Sequence, residues 1–162
     1  MSKVRIKIIL IFILAFSVFA IFTAYFIQHV MGHQPCNLCL IERIPYFFSI
    51  IVISIYLFNQ KFEKITLIIL ILTFFVATLL SFYHFGIEQG FIKESLVCGL
   101  TSTYDELSKE ALLNQLKKMP IISCKDVTFK IFGLSLATFN IFISIILSAI
   151  TIKIFLNYEK NK

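Results

Sequence analysis

Four long apolar runs leave this chain few folds to choose from. Val4 to Gln28, Ile44 to Phe58, Ile65 to Phe85 and Phe129 to Leu156 each approach the roughly 20 residues that carry a helix across a bilayer's hydrocarbon core. A soluble domain does not use so much uninterrupted apolar chain: of the 162 residues, 59% are hydrophobic and only 15% charged, far from the usual balance. The expected fold class is an all-α membrane protein, a four-transmembrane-helix bundle embedded in lipid. It forms one integral membrane domain, 1–162, with helices at about 4–28, 39–58, 65–85 and 129–156 and outer loops at about 29–38 and 86–128. The first run has no small-residue cleavage pattern at its end, so it is expected to be a retained helix rather than a signal peptide. No internal repeat or low-complexity tract interrupts the chain.

Charge placement orients the bundle, because short cytoplasmic loops collect Lys and Arg. One side carries Lys3, Arg5 and Lys7, then Lys61 and Lys64 against Glu63, then Lys153, Lys160 and Lys162 against Glu159. These segments net +3, +1 and +2, the whole formal charge of +6. The other side holds Glu42 with Arg43 and a balanced set between Glu88 and Lys130. Both termini are therefore expected in the cytoplasm and all four cysteines on the far side. The basic balance reflects topology, not nucleic-acid binding.

Cys36, Cys39, Cys98 and Cys124 thus stand where disulfides persist, and four cysteines allow three connectivities. Cys36 and Cys39 are near enough in sequence to pair, which leaves Cys98 and Cys124 to close the long outer loop. A zinc module would supply a second close pair, whereas Cys98 and Cys124 lie far apart, so no metal site is expected. Leu40 follows Cys39 where a c-type haem motif needs His. Two structural disulfides remain the bland alternative. Against it, the short loop between Cys36 and Cys39 constrains little of the unfolded chain, so a bond there suits exchange better than stapling.

The second apolar run has only 15 residues, about 22 Å of helix, too short to span alone. Extended back to Cys39, it places the cysteine pair at a helix N-terminal turn, where the dipole and unpaired amides favour a thiolate. Arg43 then projects one turn after Cys39 and can favour that thiolate or hold the polar head of an oxidant; equally, it can snorkel or pair with Glu42. His84 and Glu88 lie one turn apart where the third helix leaves the membrane, as pocket lining or as ordinary interfacial residues. His29 and His33 have metal-pair spacing, but Gly32 and Pro35 break the helix there. In the second outer loop, Thr103-Tyr104-Asp105-Glu106 fits a capping box, followed by an apolar stripe to Met119. That pattern predicts a short amphipathic helix on the membrane surface, flanked by Cys98 and Cys124 in irregular chain open to a partner's thiol.

With these residues in view, the chain resembles the bacterial disulfide bond formation protein B family, DsbB. The likeness rests on QPCNLCLIERIPY (Gln34 to Tyr46), YHFGIEQG (Tyr83 to Gly90), Cys98 and Cys124, and FGLSLATFN (Phe132 to Asn140). The resemblance implies a protein-dithiol:quinone oxidoreductase of the bacterial inner membrane. Its partner would be a periplasmic DsbA-like thiol oxidase and its cofactor a quinone, ubiquinone or menaquinone, from the membrane pool. It further implies that reduced DsbA attacks the Cys98–Cys124 disulfide through Cys98, that Cys124 attacks Cys36, and that Cys39 passes electrons to a quinone held near Arg43, His84 and Glu88. Glu88 stands where relatives also carry a glutamine. Tryptophan, common in the family near the start of the last helix, is absent, with Phe129 or Phe139 as interfacial substitutes. The alternatives are a non-catalytic membrane protein with structural disulfides or a metal site, and quinone-reducing proteins resembling vitamin K epoxide reductase. In those relatives the cysteine pair comes late in the bundle rather than at the start of its second helix.

Overall fold

The computed structural model describes residues 3–93, 98, 124–125, 130–131 and 134–160. Helix α1 runs Lys3–His29, a short α2 Asn37–Ile41, α3 Ile44–Phe58 and α4 Glu63–Glu88, with a 3-10 turn at Gln60–Phe62 before α4. Two short antiparallel strands follow, β1 Lys130–Ile131 and β2 Leu134–Ser135, and α5 runs Leu136–Lys160. Four spans are long and apolar enough to cross a membrane: Val4–His29, Asn37–Phe58, Gln60–Glu88 and Leu136–Lys160. The chain is an all-α four-helix membrane bundle, as its apolar runs predict. The amphipathic helix expected between Thr103 and Met119 lies outside the described residues.

The second span is built from α2 and α3 with a break at Glu42 and Arg43, both still in right-handed helical conformation. Pro45 explains the break: it has no N–H to return to the Ile41 carbonyl, and its ring crowds the preceding turn. The Tyr46 and Phe47 amides both donate to the Arg43 carbonyl and restart the ladder. Glu42 and Arg43 therefore sit at a corner, aimed at different neighbours.

The fourth span begins at Leu136 rather than near Phe129. Ser135 sets that boundary, since its hydroxyl accepts from the Thr138 amide at 3.2 Å as an N-cap, and the residues just before it are held in the small ladder with Lys130 and Ile131. At the other end of the site, α4 stops at Glu88 because Gly90 takes a positive φ of 76°. The chain then folds back, with the Ile92 amide donating to the Gly86 carbonyl at 3.0 Å.

Packing follows membrane rules. The most extensive helix pair is α4 with α5, then α1 with α3 and α3 with α4. Small residues such as Ala77 and Ser81 on α4 and Ala137, Ser144 and Ser148 on α5 are buried, which lets backbones approach closely where lipid supplies no hydrophobic drive. Ser17 and Ser49 meet at 3.1 Å between α1 and α3, while Thr73, Thr78, Ser81 and Thr151 return their hydroxyls to carbonyls one turn earlier. Each of these bonded hydroxyls is thus satisfied away from water, whereas the buried Ser144 Oγ finds no hydrogen-bond partner among the described residues. Ile6, Leu10, Ile13, Ile53, Leu67, Leu70 and Phe74 fill the bundle, and Phe12, Phe22 and Phe58 face outward.

Candidate active site

Pro35 delivers an extended Cys36 (φ −71°, ψ 167°) to the head of α2, where its sulfur caps the helix by accepting from the Cys39 amide at 3.2 Å. The spacing of three brings the Cys39 sulfur to 2.7 Å from that of Cys36. No bond is assigned between the two sulfurs, which stand in direct contact. Cys36 lies just ahead of the span that opens at Asn37. Its thiol is held far below the ordinary value, to about 4, chiefly by the hydrogen bond from the Cys39 thiol; burial opposes the shift and His84 assists it.

α4 brings His84 across the bundle. Its Nε2 lies 3.5 Å from the Cys36 sulfur and its Nδ1 3.0 Å from Glu42 Oε1. The other Glu42 oxygen accepts from Asn140 Nδ2 at 3.1 Å. Asn140 also donates to Ser81 at 2.8 Å and accepts from the Tyr46 hydroxyl at 2.5 Å. Glu42 and His84 are 9% and 2% exposed, which makes this a buried polar network joining α3, α4 and α5 at the cysteines' level. Buried groups of this kind persist only when paired. Glu88, one turn past His84, accepts from Ser135 at 2.5 Å and lies 3.8 Å from His84 Nε2.

Cys98 and Cys124 form a disulfide. It packs with Cys36, Leu38 and Ile87 in one cluster, with Cys39, Ile41 and Tyr83 against it. The sequence reading anticipates an accessible loop disulfide. The structure buries both cysteines, at 1% and 2% exposure, because these apolar side chains cover the sulfurs.

Arg43 pairs with neither Glu42 nor a cysteine. Its Nη1 donates to Gln28 Oε1 at 2.7 Å and its guanidinium lies over the Tyr25 ring at 5.1 Å, so α1 holds it. His29 stacks on the same Tyr25 rather than pairing with His33. Arg43, Cys36, Cys39, His84, Glu88 and Cys124 nevertheless border one cleft of about 330 Å³, walled by apolar side chains of α1 and α5 including Phe16, Phe19 and Ile143. A flat ring with polar edges fits such a space: hydrocarbon along its walls, donors and a cation at one end.

Of the site residues expected from the sequence, Cys36, Cys39, Arg43, His84, Glu88 and Cys124 border this cleft and Cys98 is bonded to Cys124, while His33 borders it and His29 does not. Sequence reasoning missed Asn140, Tyr46, Gln28 and the role of Glu42 as the partner of His84. The available signal was an acid and an amide in otherwise apolar spans.

A family model described as "Disulfide bond formation protein DsbB" matches residues 6–154. An uncharacterized protein, RP370, of Rickettsia prowazekii (strain Madrid E) is 30% identical over 147 residues, covering 90% of this chain and 86% of that protein. The match spans all four membrane helices and all four cysteines, so this chain belongs to the DsbB family of membrane proteins for disulfide bond formation.

Proposed function

We propose that this protein is a thiol:quinone oxidoreductase of the bacterial inner membrane that reoxidises a periplasmic DsbA-like dithiol protein, with both termini cytoplasmic and the cysteines periplasmic. One observation carries the reading: a closed disulfide, a reactive dithiol and a cation border a single apolar cleft. The partner's thiolate attacks the Cys98 sulfur, breaking Cys98–Cys124 and releasing the Cys124 thiolate. Cys124 bonds to Cys36 of the oxidised pair and displaces Cys39. The partner's second thiolate resolves its mixed disulfide with Cys98 and departs oxidised. Cys98 then reclaims Cys124, leaving Cys36 and Cys39 as a dithiol. To reset, that pair loses two electrons and two protons. A quinone in the cleft supplies the two-electron, two-proton acceptor. Arg43 would orient its polar edge, and the His84–Glu42 pair holds a proton beside the Cys36 sulfur.

Purified protein mixed with a reduced DsbA-like partner and ubiquinone or menaquinone should convert two partner thiols per quinol formed. With Cys39→Ser, quinol formation should stop while a mixed disulfide at Cys98 still accumulates. Undiminished quinol formation by that variant would overturn the assignment.

A further inference from the structure

The reduced cysteine pair has a third donor within reach. We infer that Cys36, Cys39 and His84 form a redox-gated site for a thiophilic divalent cation of the zinc type, and that the ion inhibits by occupying the exit pair. This rests on the function proposed above for the consequence, though not for the binding itself.

Among the described residues, the two sulfurs and a His84 ring nitrogen lie within 4.8 Å of one another. Tetrahedral zinc, with Zn–S of about 2.3 Å and Zn–N of about 2.0 Å, sets ligand separations of about 3.8 Å between sulfurs and about 3.5 Å from sulfur to nitrogen. Cys36 and His84 already stand at 3.5 Å. The sulfurs, at 2.7 Å, need to part by about 1 Å to meet that geometry, a small rotation about the Cys39 side chain.

The surroundings of His84 match those of a zinc-bound histidine. Its Nδ1 faces Glu42 Oε1 at 3.0 Å, and Asn140 pins the other carboxylate oxygen at 3.1 Å. A carboxylate behind the imidazole fixes the ring and turns Nε2 to the sulfurs, the usual outer shell of a zinc-bound histidine. Glu88 Oε1, 3.8 Å from Nε2, or a water can complete four ligands. The charge also balances: the dication replaces two protons, one from the Cys39 thiol and one shared by the Cys36–His84 pair, so the buried site gains no net charge. Closing the Cys36–Cys39 disulfide removes two ligands and ejects the ion. Metal binding and electron transfer therefore compete for the same sulfurs. The sequence argument against a four-cysteine zinc module stands, because the third ligand comes from a helix 48 residues from Cys36.

The test uses Co2+ as a coloured probe and Zn2+ as its competitor on the whole protein in detergent. Reduced protein should bind one Co2+ with the intense visible bands of tetrahedral thiolate coordination, discharged by Zn2+, and oxidised protein should bind none. Cys98→Ser with Cys124→Ser should keep the bands, which excludes the loop thiols as ligands. His84→Ala should abolish them, and Glu42→Gln should weaken affinity about 10–100-fold. Equal binding by oxidised protein, or bands unchanged in His84→Ala, would overturn the site; the redox comparison needs no variant and so survives any folding defect. Turnover of the metal-free enzyme, measured on the same preparation, separates the two ideas. Bands without turnover sink the proposed function and keep the site, whereas turnover insensitive to Zn2+ and without bands sinks the site alone.

Discussion

At Cys36 one sulfur gathers the Cys39 thiol, the Cys39 amide and the His84 ring, and these contacts make it the thiolate of the pair. Held far below the ordinary thiol range by these contacts, Cys36 is the anion of the pair at neutral pH, and the anion is the nucleophile. In chelator-treated, fully reduced protein, alkylation of Cys36 should hold its rate from neutral pH down through pH 5 and fall as pH passes about 4. Cys39→Ala, which removes the largest cause, should move the midpoint upward; a wild-type midpoint in the ordinary thiol range would refute the assignment. Arg43 makes a second prediction. Hydrogen bonds to a charged donor contribute about 1.5–3 kcal/mol, so Arg43→Ala should raise the apparent KM for quinone about tenfold or more with little change for the dithiol partner. Equal losses for both substrates would mark the arginine as a brace for Gln28 and Tyr25. Cys36, Cys39 and Arg43 were legible in one short stretch of sequence. The His84–Glu42–Asn140 network was not, because its members meet only after three helices pack and no local spacing encodes that meeting.

Where helices start and stop decides where those side chains arrive. Ser135 caps α5 and simultaneously holds Glu88, so the helix boundary and the site share one hydroxyl. Hydropathy alone placed this boundary too early, since Phe129, Ile131, Phe132 and Leu134 lead into the helix as an apolar run broken by one lysine and one glycine. The corner at Glu42 and Arg43 was equally hidden: Pro45 reads as a tolerated early helical residue until the span is seen to begin at Asn37. Gly90 offers the test at this scale. A side chain at a φ of 76° costs about 1–2 kcal/mol, so Gly90→Ala should lower the thermal midpoint in detergent and loosen the end of α4. Its amide protection from Phe85 to Ile92 should drop while α1 stays protected. Unchanged protection there would show that the turn does not anchor the helix end.

Across the whole molecule, the expected bundle rests on two signals that sequence carries well, apolar length and the sidedness of Lys and Arg. Alkaline phosphatase, active only outside the cytoplasm, should be active when fused after Phe91 and inactive when fused after Lys61 or Lys160; the reverse pattern would invert the proposed relay. Sequence carries poorly how far one end of the bundle is closed over. With Cys98 and Cys124 at 1% and 2% exposure, a dissolved small thiol meets almost no sulfur to attack. In the proposed relay a partner protein would have to part Leu38 and Ile87, which pack in one cluster with the bond, to pass electrons inward. On the proposed function, the same packing that joins the two cysteine pairs insulates them, guarding the membrane's oxidising power against a short circuit through stray reductants.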